Sequence, residues 1–310
     1  MTKLAFIFAG QGSQYVGMGK DLCERFPEAR ETYDLADKIL GFPLAKLCFE
    51  GPEDELRLTS NTQPAIFTTS IACLRLLERE GVRADVTAGH SVGEYAALVA
   101  AGAIPFEKAL ALVRKRGQLM QDAGAMRVGT MAAVIGLSAD EVIAACQRAE
   151  GRGVVEPANF NAPGQVVISG EADAVQAASE IAKEAGARKV VPLRVSGAFH
   201  SRLMAPAAQQ LAVELNRTHF DDAEVPVVAN VTASPVCGPH AIRDALARQI
   251  AGAVRWEESV RWMLADGVDV FVELGPGNVL AGLVKRTAGT SVKVYSVGDA
   301  ASLQEFLSGR

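Results

Sequence analysis

Between residues 86 and 104 the chain reads VTAGHSVGEYAALVAAGAI, with Gly89-His90-Ser91-Val92-Gly93 at its centre. Gly-x-Ser-x-Gly between a strand and a helix is the pattern of a nucleophile elbow. The sharp turn exposes the serine hydroxyl, and the flanking glycines remove Cβ atoms that would clash. The helix that follows aims its first N–H groups, and the positive end of its dipole, at charge developing on a substrate oxygen. Ser91 is therefore a candidate nucleophile for acyl chemistry. A serine ahead of a helix also serves as a plain N-cap, and the strand–turn–helix context is what favours the nucleophile.

A nucleophilic serine needs a base, and the chain has four histidines: His90, His200, His219 and His240. His90 adjoins Ser91, so its side chain is expected to leave the turn in another direction and shape the elbow. His219 and His240 lie in NRTHFDD and CGPHAIRD, which read as solvated surface. His200, in VSGAFHSRLM, follows a strand where a loop returns to the core, and it is the best base. Near the start, the glycines of FAGQGSQ let the main chain approach closely enough to offer a second N–H to an oxyanion, as a corresponding loop does in α/β-hydrolases. Neither GxGxxG nor a P-loop lysine is present, which leaves a phosphate loop weakly supported.

These residues need a scaffold that alternates strand and helix. KLAFIFAG reads as a buried strand, and GKDLCERFPEARETYDLADKIL as helix broken by Pro27. NTQPAIFTTSIACLRLLEREG reads as a long helix opened by Asn61 or Thr62, with Pro64 in its first turn. From about residue 128 the order becomes β-α-β-β-α-β through QVVISG and RKVVPLRV, that of a ferredoxin-like unit. Segments on both sides fit the larger α/β pattern. The expected organisation is thus a mainly parallel large domain (1–127 and 197–310) carrying an inserted subdomain (128–196).

Composition narrows the partners. The 310 residues carry a formal charge of −5, which gives no general attraction to nucleic acid or an acidic membrane. Five cysteines without CxxC or metal-ligand spacing suit reduced thiols packed in a core. No apolar run is long enough for a signal core or a membrane span, so a cytoplasmic protein is the expectation.

Six motifs in order, GQGSQ, GHSVGEYAAL, RGQLMQ, FNAPGQVVISG, GAFHSRLM and ELGPGNVLAGLVKR, make the chain resemble the malonyl-CoA:acyl carrier protein transacylases over nearly its whole length. The resemblance implies an α/β-hydrolase-like large domain with a ferredoxin-like insertion. It implies Ser91 as the acylated nucleophile, His200 as its base, and the backbone carbonyl of Gln249 orienting the histidine. The oxyanion hole would be the N–H groups of Gln11 and Val92, and Arg116 would bind the malonyl carboxylate. Substrates would be malonyl-CoA and the phosphopantetheine thiol of a transient, acidic acyl carrier protein, with no bound metal or redox cofactor and a monomeric enzyme.

Physical chemistry supports the choice of acyl group. A planar guanidinium grips a carboxylate through two charge-assisted hydrogen bonds, whereas an acetyl chain would leave it unpaired. Against this, Arg114 and Lys115 adjoin Arg116, and that run alone reads as a solvated helix face. Phe199 resembles the family's malonyl-selecting variants, in which a ring fills the space an α-methyl branch needs. Gln165 and Asn159 match segments lining the family's cleft. Two positions depart from the family pattern, Ala9 and Ala253, each where proline is common; the loops lose a backbone restraint while the reacting groups stay. Carrier docking would use a local basic patch, for which Lys183, Lys189, Arg202, Lys285 and Arg286 are candidates. A serine thioesterase, a carrier-docking module without activity and a trans-acting acyltransferase of polyketide synthesis are the rival readings.

Overall fold

Ala5 and Ile7 face one side of the first strand while Phe6 and Phe8 face the other, and all four are 2 % exposed or less. That alternation without polar residues marks a strand covered on both faces, as parallel sheets require. The computed structural model describes residues 2–126, 129–195 and 197–309. Its strands are β1 (Leu4–Phe8), β2 (Val86–Gly89), β3 (Gly129–Ile135), β4 (Val155–Ala162), β5 (Gln165–Glu171), β6 (Lys189–Pro192), β7 (Val227–Ala229), β8 (Ser234–Val236), β9 (Val270–Leu274) and β10 (Lys293–Val297).

The large sheet runs β10-β9-β1-β2-β7-β8. Its first five strands pair in parallel, and β8 adds an antiparallel edge to β7. The sheet is thus mainly parallel, as expected; the antiparallel edge strand is three residues long, too short to carry a periodic signal. The second sheet, β4-β5-β3-β6, is antiparallel throughout and has its own core of Val134, Val142, Val166, Ile168 and Val175. The second sheet is tied to the large domain where β4 meets the loop ahead of the helix Trp256–Ala265: Phe160 N–H donates to the Val254 carbonyl at 2.9 Å and Val254 N–H to the Ala158 carbonyl at 2.8 Å.

Two long helices, Thr59–Arg79 and Phe106–Met126, pack side by side over the sheet. The first does not begin at Asn61 or Thr62. It begins at Thr59, because the Leu58 carbonyl already accepts the N–H groups of Asn61 and Thr62, at 2.8 and 2.7 Å. Pro64 therefore lies in the second turn, not the first, where its missing N–H releases the Ser60 carbonyl. The Arg114 guanidinium of the neighbouring helix donates to that carbonyl. Gly117 lets the helices close, since a Cβ there would stand 2.9 Å from the Thr59 carbonyl oxygen.

Candidate active site

Ser91 has φ 53°, a left-handed conformation that a non-glycine residue adopts only when its surroundings impose it. Both of its backbone polar groups are held by buried amides. Its N–H donates to Asn230 Oδ1 at 2.7 Å, and its carbonyl accepts from Gln249 Nε2 at 2.9 Å. Asn230 also donates through Nδ2 to the Gly89 carbonyl at 2.7 Å, tying β2 to the turn. The flanking glycines are required by contact: a Cβ on Gly89 would lie 2.0 Å from the Gly93 carbonyl, and one on Gly93 2.2 Å from the Phe8 carbonyl oxygen. Gly93→Ala should therefore lower unfolding free energy by about 2–3 kcal/mol, because backbone on both sides has to move. Urea titration with a midpoint equal to that of the native chain would contradict this packing argument.

His200 also has positive φ, 59°, and is 5 % exposed. Its Nε2 lies 2.8 Å from Ser91 Oγ, and its Nδ1 lies 3.0 Å from the Gln249 carbonyl and 3.2 Å from that of Gly252. Two carbonyls can only accept, so Nδ1 carries the proton and Nε2 is left to accept from the serine hydroxyl. Among the described residues no carboxylate bonds this imidazole; backbone oxygens occupy the place of an acidic third member. Burial, reinforced by the charge of Arg116, pushes the His200 pKa down to about 3 against the pull of those carbonyls. The ring is neutral and ready to take a proton.

Arg116, on the helix Phe106–Met126, is fully buried, so the run Arg114-Lys115-Arg116 is not one solvated face. Lys115 is exposed, and Arg114 is spent on the Ser60 carbonyl and Asn61, while Arg116 turns inward. Its Nη1 donates to Gln63 Oε1 at 2.8 Å, and its Nη2 donates to Ser91 Oγ at 2.9 Å and to Gln249 Oε1 at 3.0 Å. The Tyr95 ring lies 5.8 Å away, and Nε has no partner. Among the described residues no carboxylate forms an ion pair with it. A buried cation with no carboxylate in direct contact is costly, and it is a preformed place for one.

Ser91, His200, Gln11, Phe199 and Asn159 line one cleft, together with Met120, Met131, Leu193 and Val195. Phe199 is 4 % exposed and packs in the main core beside that cleft. Gln165 is not in the cleft of Ser91; it lines the adjoining one with Gln11, His90 and Asn159, and accepts from Arg286 Nη1 at 3.0 Å. Val92 is the residue ahead of the helix Gly93–Ala100, and among the described residues neither its N–H nor that of Gln11 donates to a protein acceptor. His90 makes no hydrogen bond to Ser91 Oγ among the described residues: its Nε2 lies 2.9 Å from Asn161 Oδ1 and its ring against Trp256. His219 and His240 are exposed. Of the basic candidates, Arg202 is paired with Glu156 at 3.2 Å, while Lys183, Lys189 and Lys285 are exposed.

Sequence reasoning missed Gln63, Glu94 and Asn230, all buried around Ser91 and Arg116. Glu94 accepts from Asn230 N–H at 2.9 Å and from Gln249 Nε2 at 2.8 Å. In the linear chain it reads as an ordinary acid in a first helical turn, and the two amides carry no pattern at all.

Residues 5–303 match the acyl transferase domain family. The chain is 47 % identical to the malonyl CoA-acyl carrier protein transacylase of Bacillus subtilis (strain 168) over 305 residues, which cover 98 % of this chain and 96 % of that one. It is also 47 % identical to the enzyme of the same name from Escherichia coli (strain K12), over 94 % of each chain. Among solved structures, an acyl carrier protein S-malonyltransferase from Vibrio cholerae O1 biovar eltor superimposes with TM-score 0.95 at 45 % identity, covering 98 % of this chain and all of that one. A malonyl-transacylase in complex with a type II PKS acyl-carrier protein superimposes with TM-score 0.96 at 43 % identity over the whole of both chains.

Proposed function

The chain belongs to the acyl transferase family, and from that membership we propose that it moves a malonyl group from malonyl-CoA to the phosphopantetheine thiol of acyl carrier protein through a malonyl ester on Ser91. The observation that carries the choice of acyl group is the buried Arg116, which bonds the nucleophile's own hydroxyl oxygen and, among the described residues, touches no carboxylate.

In the first half-reaction, Ser91 Oγ attacks the thioester carbonyl while His200 Nε2, 2.8 Å away, takes its proton. The oxyanion is received by the N–H groups of Gln11 and Val92. As the tetrahedral intermediate collapses, the carbon–sulfur bond breaks and His200 returns the proton to the CoA thiolate. The carrier thiol then attacks the ester, His200 again taking the proton, and Ser91 leaves as its hydroxyl. Arg116 holds the malonyl carboxylate between the two steps, and its release from Ser91 Oγ frees that oxygen's lone pairs. No step calls on a metal or a redox group. A thioesterase would deliver water to the ester instead; the fixed carboxylate keeps the ester aligned for the thiol and away from a stray water.

The architecture is read accordingly: residues 1–127 and 197–310 as an α/β-hydrolase-like domain, and residues 128–196 as a ferredoxin-like subdomain whose β4 brings Asn159 to the cleft of Ser91 and whose β5 brings Gln165 to the adjoining one. The enzyme is read as a cytoplasmic monomer supplying fatty acid synthesis, meeting its carrier through exposed lysines such as Lys189 and Lys285. No helix among the described residues is long and apolar enough to cross a membrane. The relative solved with a polyketide carrier makes polyketide synthesis the second pathway reading.

Arg116→Ala tests the assignment. Malonyl transfer should lose about 2–3 kcal/mol of transition-state stabilisation, about 30- to 150-fold in kcat/KM, because the substrate carboxylate loses its buried partner. Slow acetyl transfer from acetyl-CoA should hold or rise. Equal losses for both acyl groups, or undiminished malonyl transfer, would remove Arg116 from substrate recognition.

A further inference from the structure

Two carboxylates, Glu94 and Glu273, are fully buried. Glu273 accepts the N–H groups of Leu280 and Ala281 at 3.0 and 2.7 Å, and so serves the start of the helix Val279–Ala288. Glu94 faces the active site and has no such local task. Its Oε2 accepts from Gln249 Nε2, and the other end of that amide, Oε1, accepts from Arg116 Nη2. One primary amide thus bridges the buried carboxylate to the buried guanidinium.

The bridge has a direction. An amide can be turned end for end with almost no change of shape, but here only one orientation satisfies every partner. With Nε2 towards Glu94 and the Ser91 carbonyl, both of which accept, Oε1 must face Arg116, which only donates. Reversed, the amide would set donor against donor and acceptor against acceptor. Without the carboxylate, Nε2 would keep only weaker acceptors, the Ser91 carbonyl, which also receives the Glu94 N–H at 3.1 Å, and Asn230 Oδ1 at 3.4 Å.

We propose that Glu94 is a positioning residue for recognition of the substrate carboxylate, holding the Gln249 amide so that its Oε1 keeps Arg116 aimed at the acyl site. The inference rests on the reading of Arg116 given above. Glu94 is also coupled to Arg116 electrostatically through this bridge. Its carboxyl is pushed up to about 7 by burial, and the two hydrogen bonds and Arg116 pull it back towards the charged form. When malonyl arrives, its carboxylate replaces Ser91 Oγ on Nη2, while Gln63 and the Glu94-held Gln249 keep their grip on the rest of the guanidinium.

The competing role is purely structural. Glu94 also accepts the Asn230 N–H, and Asn230 holds the Ser91 N–H, so loss of the carboxylate could merely loosen the elbow. A loosened elbow would slow every acyl group alike. The test is Glu94→Gln, made in the native chain and in Arg116→Ala, with kcat and KM for malonyl-CoA and acetyl-CoA. Glu94→Gln should raise the malonyl-CoA KM about tenfold with kcat within about threefold, as expected when a charge-assisted hydrogen bond becomes a neutral one, and leave acetyl transfer unchanged. In Arg116→Ala the same substitution should have no further effect. Glu94→Asp, which keeps the charge on a shorter arm, should give a malonyl-to-acetyl ratio between those of the native chain and Glu94→Gln. Parallel losses for both acyl groups, or the same malonyl loss in both backgrounds, would overturn the positioning role and leave Arg116's role standing. A malonyl-to-acetyl ratio lower in Glu94→Asp than in Glu94→Gln would overturn it as well. Unchanged malonyl transfer in Arg116→Ala alone would overturn the reading of Arg116 and this inference with it.

Discussion

Ser91→Ala should abolish acyl transfer, with kcat falling by at least about 10⁴-fold, because no other group can form the ester that links the two half-reactions. Intact-protein mass spectrometry after brief exposure to malonyl-CoA checks it directly. The native chain should gain one malonyl group and lose it when carrier protein is added, and Ser91→Ala should gain none. The substitution removes one oxygen and leaves the main-chain bonds to Asn230 and Gln249 in place, so the fold should survive. It also removes a partner of Arg116, whose Nη2 retains Gln249. A malonyl adduct on Ser91→Ala would place the covalent intermediate elsewhere. Rapid release of free malonate by the native chain, with no lasting adduct, would favour a hydrolase.

His200→Ala should slow acylation of Ser91 by about 10²- to 10⁴-fold, the usual contribution of a positioned general base. The adduct should still form, slowly, since the nucleophile and the oxyanion N–H groups are untouched; stopped reactions analysed by mass would show its rate. Acylation at the native rate would mean that another group accepts the Ser91 proton. The neighbourhood gives a reason for a large effect. Ser91 Oγ has two partners, Arg116, which only donates, and His200 Nε2, which accepts, so the imidazole is the proton's destination within the site.

The residues that act through local geometry were legible in the linear chain. The glycines on either side of Ser91 mark a turn that tolerates no Cβ; for Gly89 that requirement is set within five residues, while for Gly93 it comes from the Phe8 carbonyl on β1. The short apolar run LAFIF and the β-α-β-β-α-β order are also local, since each is read from stretches of a few residues and their side-chain period. Gln249 illustrates the limit. Its carbonyl was placed opposite His200 by resemblance, but its side chain, which meets Ser91, Glu94, Asn230 and Arg116, left no trace in the order of residues.

What only the tertiary structure decided is which charges are buried and whom they face. Arg116 sits in a basic run that looks solvated until the helices Thr59–Arg79 and Phe106–Met126 close over it, and Glu94 looks like a dipole-friendly acid until β7 brings Asn230 against it. The start of the long helix at Thr59 was likewise settled by Leu58's carbonyl and by Arg114 reaching the Ser60 carbonyl that Pro64 leaves free. Elements, turns and the nucleophile follow from short-range sterics, which the sequence states residue by residue. The electrostatics of the site arise from groups as far apart as Ser91 and Gln249, and their energy depends on excluding water, which no local pattern encodes.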